Sequence, residues 1–129
     1  MRAIDASALV KYFSRERGWE RVSELVLEGV ASVELVVKEV ANSLLKKVRR
    51  GEMSAEVALE LVEAVPKIVK IEPQAPLVPR ALRLALEHSI TVYDALYVAL
   101  AESRGLELIT CDVRQASAAE RVGVRVLRA

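Results

Sequence analysis

The stretch that constrains the fold most strongly is residues 91–101. Its sequence, Thr-Val-Tyr-Asp-Ala-Leu-Tyr-Val-Ala-Leu-Ala, has helical character, and nearly every position except Asp94 is apolar or weakly polar. A helix that is apolar all round is a buried helix. Burying a carboxylate is unfavourable unless the group is paired or coordinated. The sequence therefore predicts a buried helix in which Asp94 has a partner or a ligand.

Aspartate is rare in this chain. Of eighteen acidic residues, fifteen are Glu and only three are Asp, namely Asp5, Asp94 and Asp112. Most Glu residues fall on polar helix faces beside Arg and Lys, whereas each Asp stands next to apolar residues. Our hypothesis is that the three short carboxylates share one function.

Composition limits the class of protein. The 129 residues, 53% apolar and 29% charged, predict one domain over residues 1–129. No apolar run approaches the ~20 residues that span a bilayer, the first charge comes too early for a signal peptide, and the single cysteine excludes an internal disulfide framework. We expect a cytoplasmic protein with no membrane partner. A net charge of +1 argues against a broad basic surface, so a nucleic-acid contact should be local or involve a cation.

Short strands alternate with helices along the chain. The pattern predicts helices at 6–13, 19–28, 34–50, 54–65, 91–105 and 114–121, and another that begins at Pro76 or Pro79 and ends at Glu87. It predicts strands at 1–4, 30–33, 67–71, 106–111 and 124–127. Pro66 is expected to end the fourth helix. The alternation predicts an α/β fold with a short-stranded parallel sheet and helices on both faces. Ligands of such sheets bind beyond the carboxyl ends of the strands.

The three Asp residues fall at one predicted edge of this sheet. Asp5 follows the first strand, Asp112 follows the strand at 106–111, and Asp94 lies in the first turn of the helix that leads into that strand. Glu39 is the best fourth member, because it is the only acid between residues 34 and 52 and its neighbours are mostly apolar. We predict that these four carboxylates face one crevice.

Each acid also has a simpler explanation. Asp5 and Asp112 suit N-caps of the helices that follow them, and Thr91 with Asp94 has the spacing of a capping box. Glu39 alone suits an ordinary surface position. The coincidence of all three Asp residues at one edge favours a shared site.

Clustered carboxylates raise each other's pKa and are best neutralised by a cation. Oxygen ligands with several waters favour Mg²⁺ or Mn²⁺ over zinc. Such an ion polarises a phosphoryl oxygen and lowers the pKa of a bound water. The predicted chemistry is metal-assisted hydrolysis of a phosphodiester.

Few other polar residues accompany the acids. Ser7 and Thr110 are candidates to orient a carboxylate, although a helix-start hydroxyl and an ordinary strand Thr explain them too. Asn42, the only Asn, follows Glu39 on a similar helix face and is either a supporting partner or an exposed residue. His88 is explained by its helix end and Cys111 by the core.

Basic residues group at two places. Lys46, Lys47, Arg49 and Arg50 complement a helix C-terminus, with an RNA-backbone patch as the alternative. Lys11, Arg15, Arg17 and Arg114 lie nearer the acids and are better candidates for steering phosphates.

Four segments resemble the PIN-domain ribonucleases, especially the small VapC-type toxins of prokaryotic toxin–antitoxin pairs. They are Ile-Asp-Ala-Ser-Ala-Leu-Val-Lys (4–11), Glu-Val-Ala-Asn-Ser-Leu (39–44), Tyr-Asp-Ala-Leu-Tyr-Val-Ala-Leu-Ala (93–101) and Leu-Ile-Thr-Cys-Asp (108–112). They occur in the family's order and extend over most of the chain.

The resemblance implies a three-layer α/β sandwich and an endoribonuclease dependent on Mg²⁺ or Mn²⁺. It also implies a homodimer and a cognate antitoxin that blocks the acidic pocket, with RNA as substrate. By the same resemblance, Asp5, Glu39, Asp94 and Asp112 form the acidic site, and Asp5 and Asp94 are the surest metal ligands. Ser7, Asn42 and Thr110 fall at positions of supporting polar residues.

One departure from the family pattern affects the metal count. Many relatives have a further acid a few residues after the one matching Asp112, whereas this chain has none until Glu120. The departure argues against a second tightly held ion. Three alternatives remain at the sequence level: a housekeeping RNA-processing nuclease, a non-catalytic PIN-like binding module, and a receiver-type phosphoacceptor domain. The last lacks its usual adjacent acids after the first strand.

Overall fold

The computed structural model describes all residues, 1–129, and its centre is a five-stranded parallel sheet. The strands are β1 (Arg2–Ile4), β2 (Val30–Val33), β3 (Val69–Glu72), β4 (Leu108–Thr110) and β5 (Val126–Arg128). Their order across the sheet is β3-β2-β1-β4-β5, and every neighbouring pair is parallel.

Seven α-helices connect the strands. They are α1 (Ala6–Phe13), α2 (Trp19–Leu27), α3 (Leu35–Arg49), α4 (Ala55–Ile68), α5 (Val78–His88), α6 (Val92–Arg104) and α7 (Val113–Arg121), with a 3₁₀ turn at Ala75–Leu77. The chain leaves β1 towards β2 and β3, then returns past β1 to β4 and β5. With right-handed crossovers, α1–α4 cover one face and α5–α7 the other. The fold is the predicted three-layer α/β sandwich.

The reversal of direction creates a crevice at the carboxyl ends of β1 and β4. These strands are neighbours in the sheet, but the helices that follow them lie on opposite faces. Ligands of open α/β sheets bind at such switch points. Asp5 and Asp112, which follow these two strands, therefore stand at the crevice.

Polar residues begin four of the helices. Asp5, Ser54, Thr91 and Asp112 are N-cap residues, and each side chain accepts a hydrogen bond from the backbone N–H three residues further on. The capping explanation for Asp5 and Asp112 is thus confirmed. It does not exclude a second role, since a carboxylate has two oxygens and several lone pairs.

Helix α6 is the buried rod that its sequence predicts. All seven residues from 95 to 101 are buried, and they belong to a hydrophobic core of 30 residues. Gly105 ends the helix in the left-handed conformation at φ 63°, a geometry that favours glycine. Because α6 is surrounded by this core, its first turn has a fixed position relative to the sheet.

The prediction that Pro66 ends the fourth helix is wrong. Helix α4 continues to Ile68, and β3 begins at Val69 instead of residue 67. Pro66 removes one backbone donor, but the N–H of Val69 still bonds to the carbonyl of Val65 and holds the last turn. The strands β4 and β5 are also shorter than predicted, matching the three residues of β1. No helix combines the length and apolar character needed to cross a membrane.

Candidate active site

Asp5 lies at the floor of the crevice and is almost fully enclosed. It is 3% exposed, and its Oδ1 accepts a hydrogen bond from the N–H of Ala8 at 3.0 Å. The Ser7 hydroxyl lies 2.8 Å from both carboxylate oxygens, and the Thr110 hydroxyl lies 2.6 Å from Oδ2. Burial raises the pKa of Asp5 to about 6, and nearby Asp112 adds to the rise while the hydrogen bonds oppose it.

Gln115 links the elements that carry the acids, a role that sequence analysis missed. Its side chain is fully buried, its Oε1 lies 2.9 Å from the Thr110 hydroxyl, and its Nε2 donates to the carbonyl of Asp94 at 3.0 Å. Its backbone N–H donates to Oδ1 of Asp112 at 2.9 Å, and the N–H of Asp112 donates to Thr110. One connected network thus joins β4, α6 and α7 to the carboxylate of Asp5.

Asp94 lies in the first turn of α6, where the hydroxyl of Thr91 accepts its backbone N–H at 3.1 Å. The side chain is half-buried. Burial raises the pKa of Asp94 and repulsion from Asp112 raises it further, while Thr91 and Arg114 act in the opposite direction. Asp94 is therefore close enough to Asp112 for the charge of Asp112 to disfavour ionisation of Asp94.

Glu39 reaches the same crevice from α3. The hydroxyl of Tyr97, a residue of α6 that is 1% exposed, donates a hydrogen bond to Oε1 of Glu39. Burial raises the pKa of Glu39, with the Tyr97 bond opposing and Asp94 reinforcing the change. Burial and the neighbouring carboxylates also raise the pKa of Tyr97, so its hydroxyl remains a donor.

An open cleft of about 610 Å³ lies between α3 and the first turn of α6. Of the seven residues that the sequence suggests for the site, five line it: Ser7, Glu39, Asn42, Asp94 and Asp112. Asp5 and Thr110 are buried beneath it. Among the other residues that line the cleft, Tyr93, Lys38 and Ser43 were not predicted from the sequence as site residues. Lys46 is the one member of its predicted basic group that lines the cleft.

The donors in the cleft are oxygens, which suits a hard cation such as Mg²⁺ or Mn²⁺. No group of three Asp, Glu, His or Cys side chains is already arranged to hold a metal ion. Magnesium is commonly bound by one or two carboxylates together with waters and substrate phosphates. The arrangement therefore fits a metal ion that is coordinated partly by substrate phosphates better than one coordinated by protein side chains alone.

A second cleft of about 600 Å³ adjoins the first, since Ser7 and Ser43 line both. Lys11 and Arg17 lie there, together with Glu16 and a partly exposed Cys111. Cys111 is therefore less buried than the sequence suggests.

Comparisons with known proteins agree with this architecture. A sequence model described as the PIN domain matches residues 3–121. Ribonuclease VapC3 of Pyrobaculum aerophilum is 37% identical over 84% of this chain and 87% of its own length, and Exonuclease VapC9 of that organism is 34% identical over 84% and 78%.

Solved structures are similar as well. The crystal structure of PAE2754 from Pyrobaculum aerophilum has a TM-score of 0.75 at 30% identity, covering 97% of this chain and 82% of that one. A toxin–antitoxin complex from Klebsiella pneumoniae contains a chain with a TM-score of 0.66 at 18% identity, covering 98% and 96%, a likeness of fold alone. The match over residues 3–121 and the relatives above 30% identity together show that this chain belongs to the PIN-domain family and is of the VapC type.

Proposed function

We propose that the protein is a metal-dependent endoribonuclease whose acidic site comprises Asp5, Glu39, Asp94 and Asp112. One observation carries the proposal: Glu39, Asp94 and Asp112 line one cleft at the switch point of the sheet, and Asp5 is buried beneath it. Repulsion within the set contributes to the raised pKa of three members, since Asp112 acts on Asp5 and on Asp94, and Asp94 acts on Glu39. A cluster that costs free energy in the absence of a cation is expected where a cation binds.

The residues that would hold Mg²⁺ or Mn²⁺ are Asp94 and Asp112 at the cleft wall, with Glu39 opposite and Asp5 beneath. When bound, the ion supplies Lewis-acid polarisation of the scissile phosphate and lowers the pKa of a water. Ser7, Asn42 and Thr110 are proposed as supporting residues. Ser7 and Thr110 fix Asp5 through their hydroxyls, and Asn42 lines the cleft one helical turn from Glu39.

The protein's own side chains also control the geometry of the acids. The Tyr97 hydroxyl restricts the carboxylate of Glu39, and the Gln115 N–H holds one oxygen of Asp112. Outer-shell hydrogen bonds of this kind orient metal ligands, and their loss commonly costs 10- to 100-fold in affinity or activity. We infer that the network around Gln115 sets the separation between Asp112 and Asp94.

The relatives' names support a role as the toxin of a toxin–antitoxin pair. Two relatives are called ribonuclease or exonuclease of the VapC series, and one similar fold was solved within a toxin–antitoxin complex. We propose a cytoplasmic protein that cleaves RNA, forms a homodimer and is inhibited by a cognate antitoxin. Finding a small antitoxin reading frame beside the gene would favour this role over housekeeping RNA processing.

A direct test is cleavage of RNA labelled internally and at either end, with Mg²⁺, with Mn²⁺ and with EDTA. We expect metal-dependent internal cuts, seen as discrete products from internally labelled and from circular RNA. An absence of cleavage with either ion, combined with no Mn²⁺ binding by calorimetry in the millimolar range, contradicts the proposal and favours a non-catalytic binding module.

The name of one relative, an exonuclease, makes stepwise cleavage from an end the second candidate. Mononucleotide release from linear RNA, with circular RNA left intact, establishes that alternative. A receiver-type phosphoacceptor is not retained, because the chain belongs to the PIN-domain family.

A further inference from the structure

The chain has only two glutamines, Gln74 and Gln115, and each of them connects separate elements of the fold. Gln74 lies in segment 73–77, between β3 and α5. Its side-chain Oε1 accepts a hydrogen bond from the N–H of Leu35 at 2.7 Å, and its backbone N–H donates to Oε1 of Glu34 at 3.1 Å. Two hydrogen bonds of opposite direction thus join positions that are 39 and 40 residues apart in the sequence.

Helix α3 depends on this contact at its start, because it has no N-cap side chain of its own. Glu34 precedes the helix in a helical backbone conformation, and its side chain accepts no hydrogen bond from the first turn. The first N–H groups of a helix have no partner within the helix. Gln74 supplies a partner to the first of them from a distant part of the chain. The position of this turn is therefore set by segment 73–77 as well as by the local sequence.

One face of α3 forms a wall of the acidic cleft. The residues of this face that line the cleft are Leu35, Lys38, Glu39, Asn42, Ser43 and Lys46. Leu35, which donates to Gln74, is the first residue of the helix, and Glu39 follows it by four positions, about 6 Å along the helix axis. A movement of the first turn therefore moves the carboxylate of Glu39.

Segment 73–77 is attached to α6, the helix on the other side of the cleft. Two prolines restrict the backbone of the segment, and its 3₁₀ turn packs against α5 and α6. Arg80 of α5 then makes two hydrogen bonds of 2.8 Å to the carboxylate of Glu102 on α6. Gln74 therefore connects α3 to the helix that carries Asp94.

Only one side-chain hydrogen bond runs directly from α6 to α3, the bond from the Tyr97 hydroxyl to Glu39. Because the Glu39 side chain is flexible, this bond can persist over a range of helix positions. We propose that Gln74 is a positioning residue, which holds the first turn of α3 on segment 73–77 and so sets the separation of Glu39 and Asp94 across the cleft. The inference rests on the proposed nuclease function and adds to it a residue outside the cleft. The competing explanation is a helix cap that serves stability alone.

Gln74→Ala separates the two explanations, because it removes the acceptor of the Leu35 N–H and keeps all four carboxylates. Ser54→Ala is the matched control, since it removes the N-cap of the neighbouring helix α4, outside the cleft. Both variants should lower the urea midpoint, because each leaves a helix start without its cap. Mn²⁺ affinity in calorimetry should fall about tenfold in Gln74→Ala and stay within about twofold of the parent in Ser54→Ala. Parental Mn²⁺ affinity in Gln74→Ala shows that Gln74 is a helix cap only.

A rescue experiment distinguishes the hydrogen bonds from the bulk of the side chain. The double variant Gln74→Glu with Glu34→Gln keeps an oxygen acceptor at each position and the same net charge. It should restore Mn²⁺ affinity to within about twofold of the parent, whereas Gln74→Met, which has similar bulk and no acceptor, should behave like Gln74→Ala. Parental affinity in Gln74→Met, or a double variant no better than Gln74→Ala, contradicts the proposal.

Crystal structures without a divalent ion test the position of the helix directly. Gln74→Ala should shift the first turn of α3 relative to α6 by roughly 1 Å, a misplacement large enough to affect catalysis. The double variant should superpose on the parent. If Gln74→Ala keeps the parental separation between the carboxylates of Glu39 and Asp94, the proposal is wrong.

The two proposals fail separately. If the parent cleaves RNA and binds Mn²⁺ while Gln74→Ala keeps the parental structure and affinity, Gln74 has no positioning role and the nuclease function stands. If Gln74→Ala shifts α3 but the parent neither cleaves RNA nor binds Mn²⁺, the nuclease function is wrong and Gln74 still fixes the width of the cleft.

Discussion

The floor and the wall of the acidic cleft use the same residue type in opposite environments. On the floor, Asp5 is 3% exposed and its oxygens are surrounded by the Ser7 and Thr110 hydroxyls and a backbone N–H. On the wall, Asp94 is half-buried and borders open space. Hydrogen bonds fix the position of the floor carboxylate, whereas the wall carboxylate is accessible to an ion and a substrate.

This difference predicts unequal responses to mutation. A wall carboxylate should matter for chemistry and little for stability, because it makes few contacts that folding requires. The polar groups of the floor should matter for both, because they are buried and hydrogen-bonded. The following experiments test that division, beginning with the largest expected effect.

Asp94→Asn should reduce RNA cleavage to background, at least about 100-fold, because an amide is a poor ligand for a hard cation. Circular dichroism and the urea midpoint should match those of the parent, since the Thr91 cap accepts a backbone N–H that the substitution keeps. Glu63→Gln, an exposed α4 residue outside the cleft, is the control and should cleave normally. If Asp94→Asn cleaves RNA at the parental rate, the wall carboxylate of Asp94 has no role in the mechanism.

The pH dependence of stability should reflect the raised pKa of Asp5 on the floor of the cleft. The pKa of Asp5 is raised from 3.8 to about 6, so between those values the folded protein keeps a proton that the unfolded chain has lost. The free energy of unfolding should therefore fall as pH rises through this window, by about 3 kcal/mol in total, in metal-free protein. Urea unfolding in EDTA from pH 3.5 to 7.5 measures the change.

Asp5→Asn is the reference for that experiment, because its difference curve against the parent isolates one group. Asp94 and Glu39 also have raised pKa values and contribute with the same sign, whereas Glu102, with its lowered pKa, contributes with the opposite sign. A difference curve that is flat between pH 4 and 6 shows that Asp5 is not buried as described. A divalent ion that binds the folded state should restore stability at neutral pH.

Thr110→Val should destabilise the protein by about 1–3 kcal/mol, because it removes the hydroxyl 2.6 Å from Oδ2 of Asp5 and leaves the N–H of Asp112 without its acceptor. Thr91→Val is the matched comparison at an exposed helix cap, with an expected loss of about 1 kcal/mol. Urea unfolding at pH 7 distinguishes the two. A loss at Thr110 no greater than that at Thr91 contradicts the view of the floor as a cooperative network.

The sequence predicts much of this arrangement because its signals are local. The hydrophobic pattern of residues 91–101 requires burial, and a polar residue directly after a strand lies at the sheet edge whatever the helix packing. Asp5, Asp94 and Asp112 could be placed from these facts alone. The prediction that Pro66 ends the helix was wrong because a residue pattern does not show the hydrogen bond that holds the last turn of α4.

The contacts of Gln115 and the cleft positions of Tyr93 and Lys38 could not be predicted in the same way, because they depend on how each helix is rotated about its axis. One signal did exist for Gln115, since it is one of only two Gln residues and lies three positions after Asp112. The Gln115 side chain reaches Asp94 and Thr110 because α7 packs against α6. This tertiary contact cannot be read from a residue pattern.

Tyr97 joins the two environments, since its ring lies in the core and its hydroxyl reaches Glu39 at the cleft. Tyr97→Phe keeps the ring and should cost no more than about 1.5 kcal/mol of stability. Cleavage should fall about tenfold, with weaker Mn²⁺ binding in calorimetry, because the carboxylate loses its orienting donor. Tyr12→Phe, outside the cleft, is the control. If Tyr97→Phe loses stability but keeps the parental Mn²⁺ affinity and turnover, Tyr97 serves only the core. Its hydrogen bond to Glu39 then belongs to the structural part of the molecule and not to the metal site.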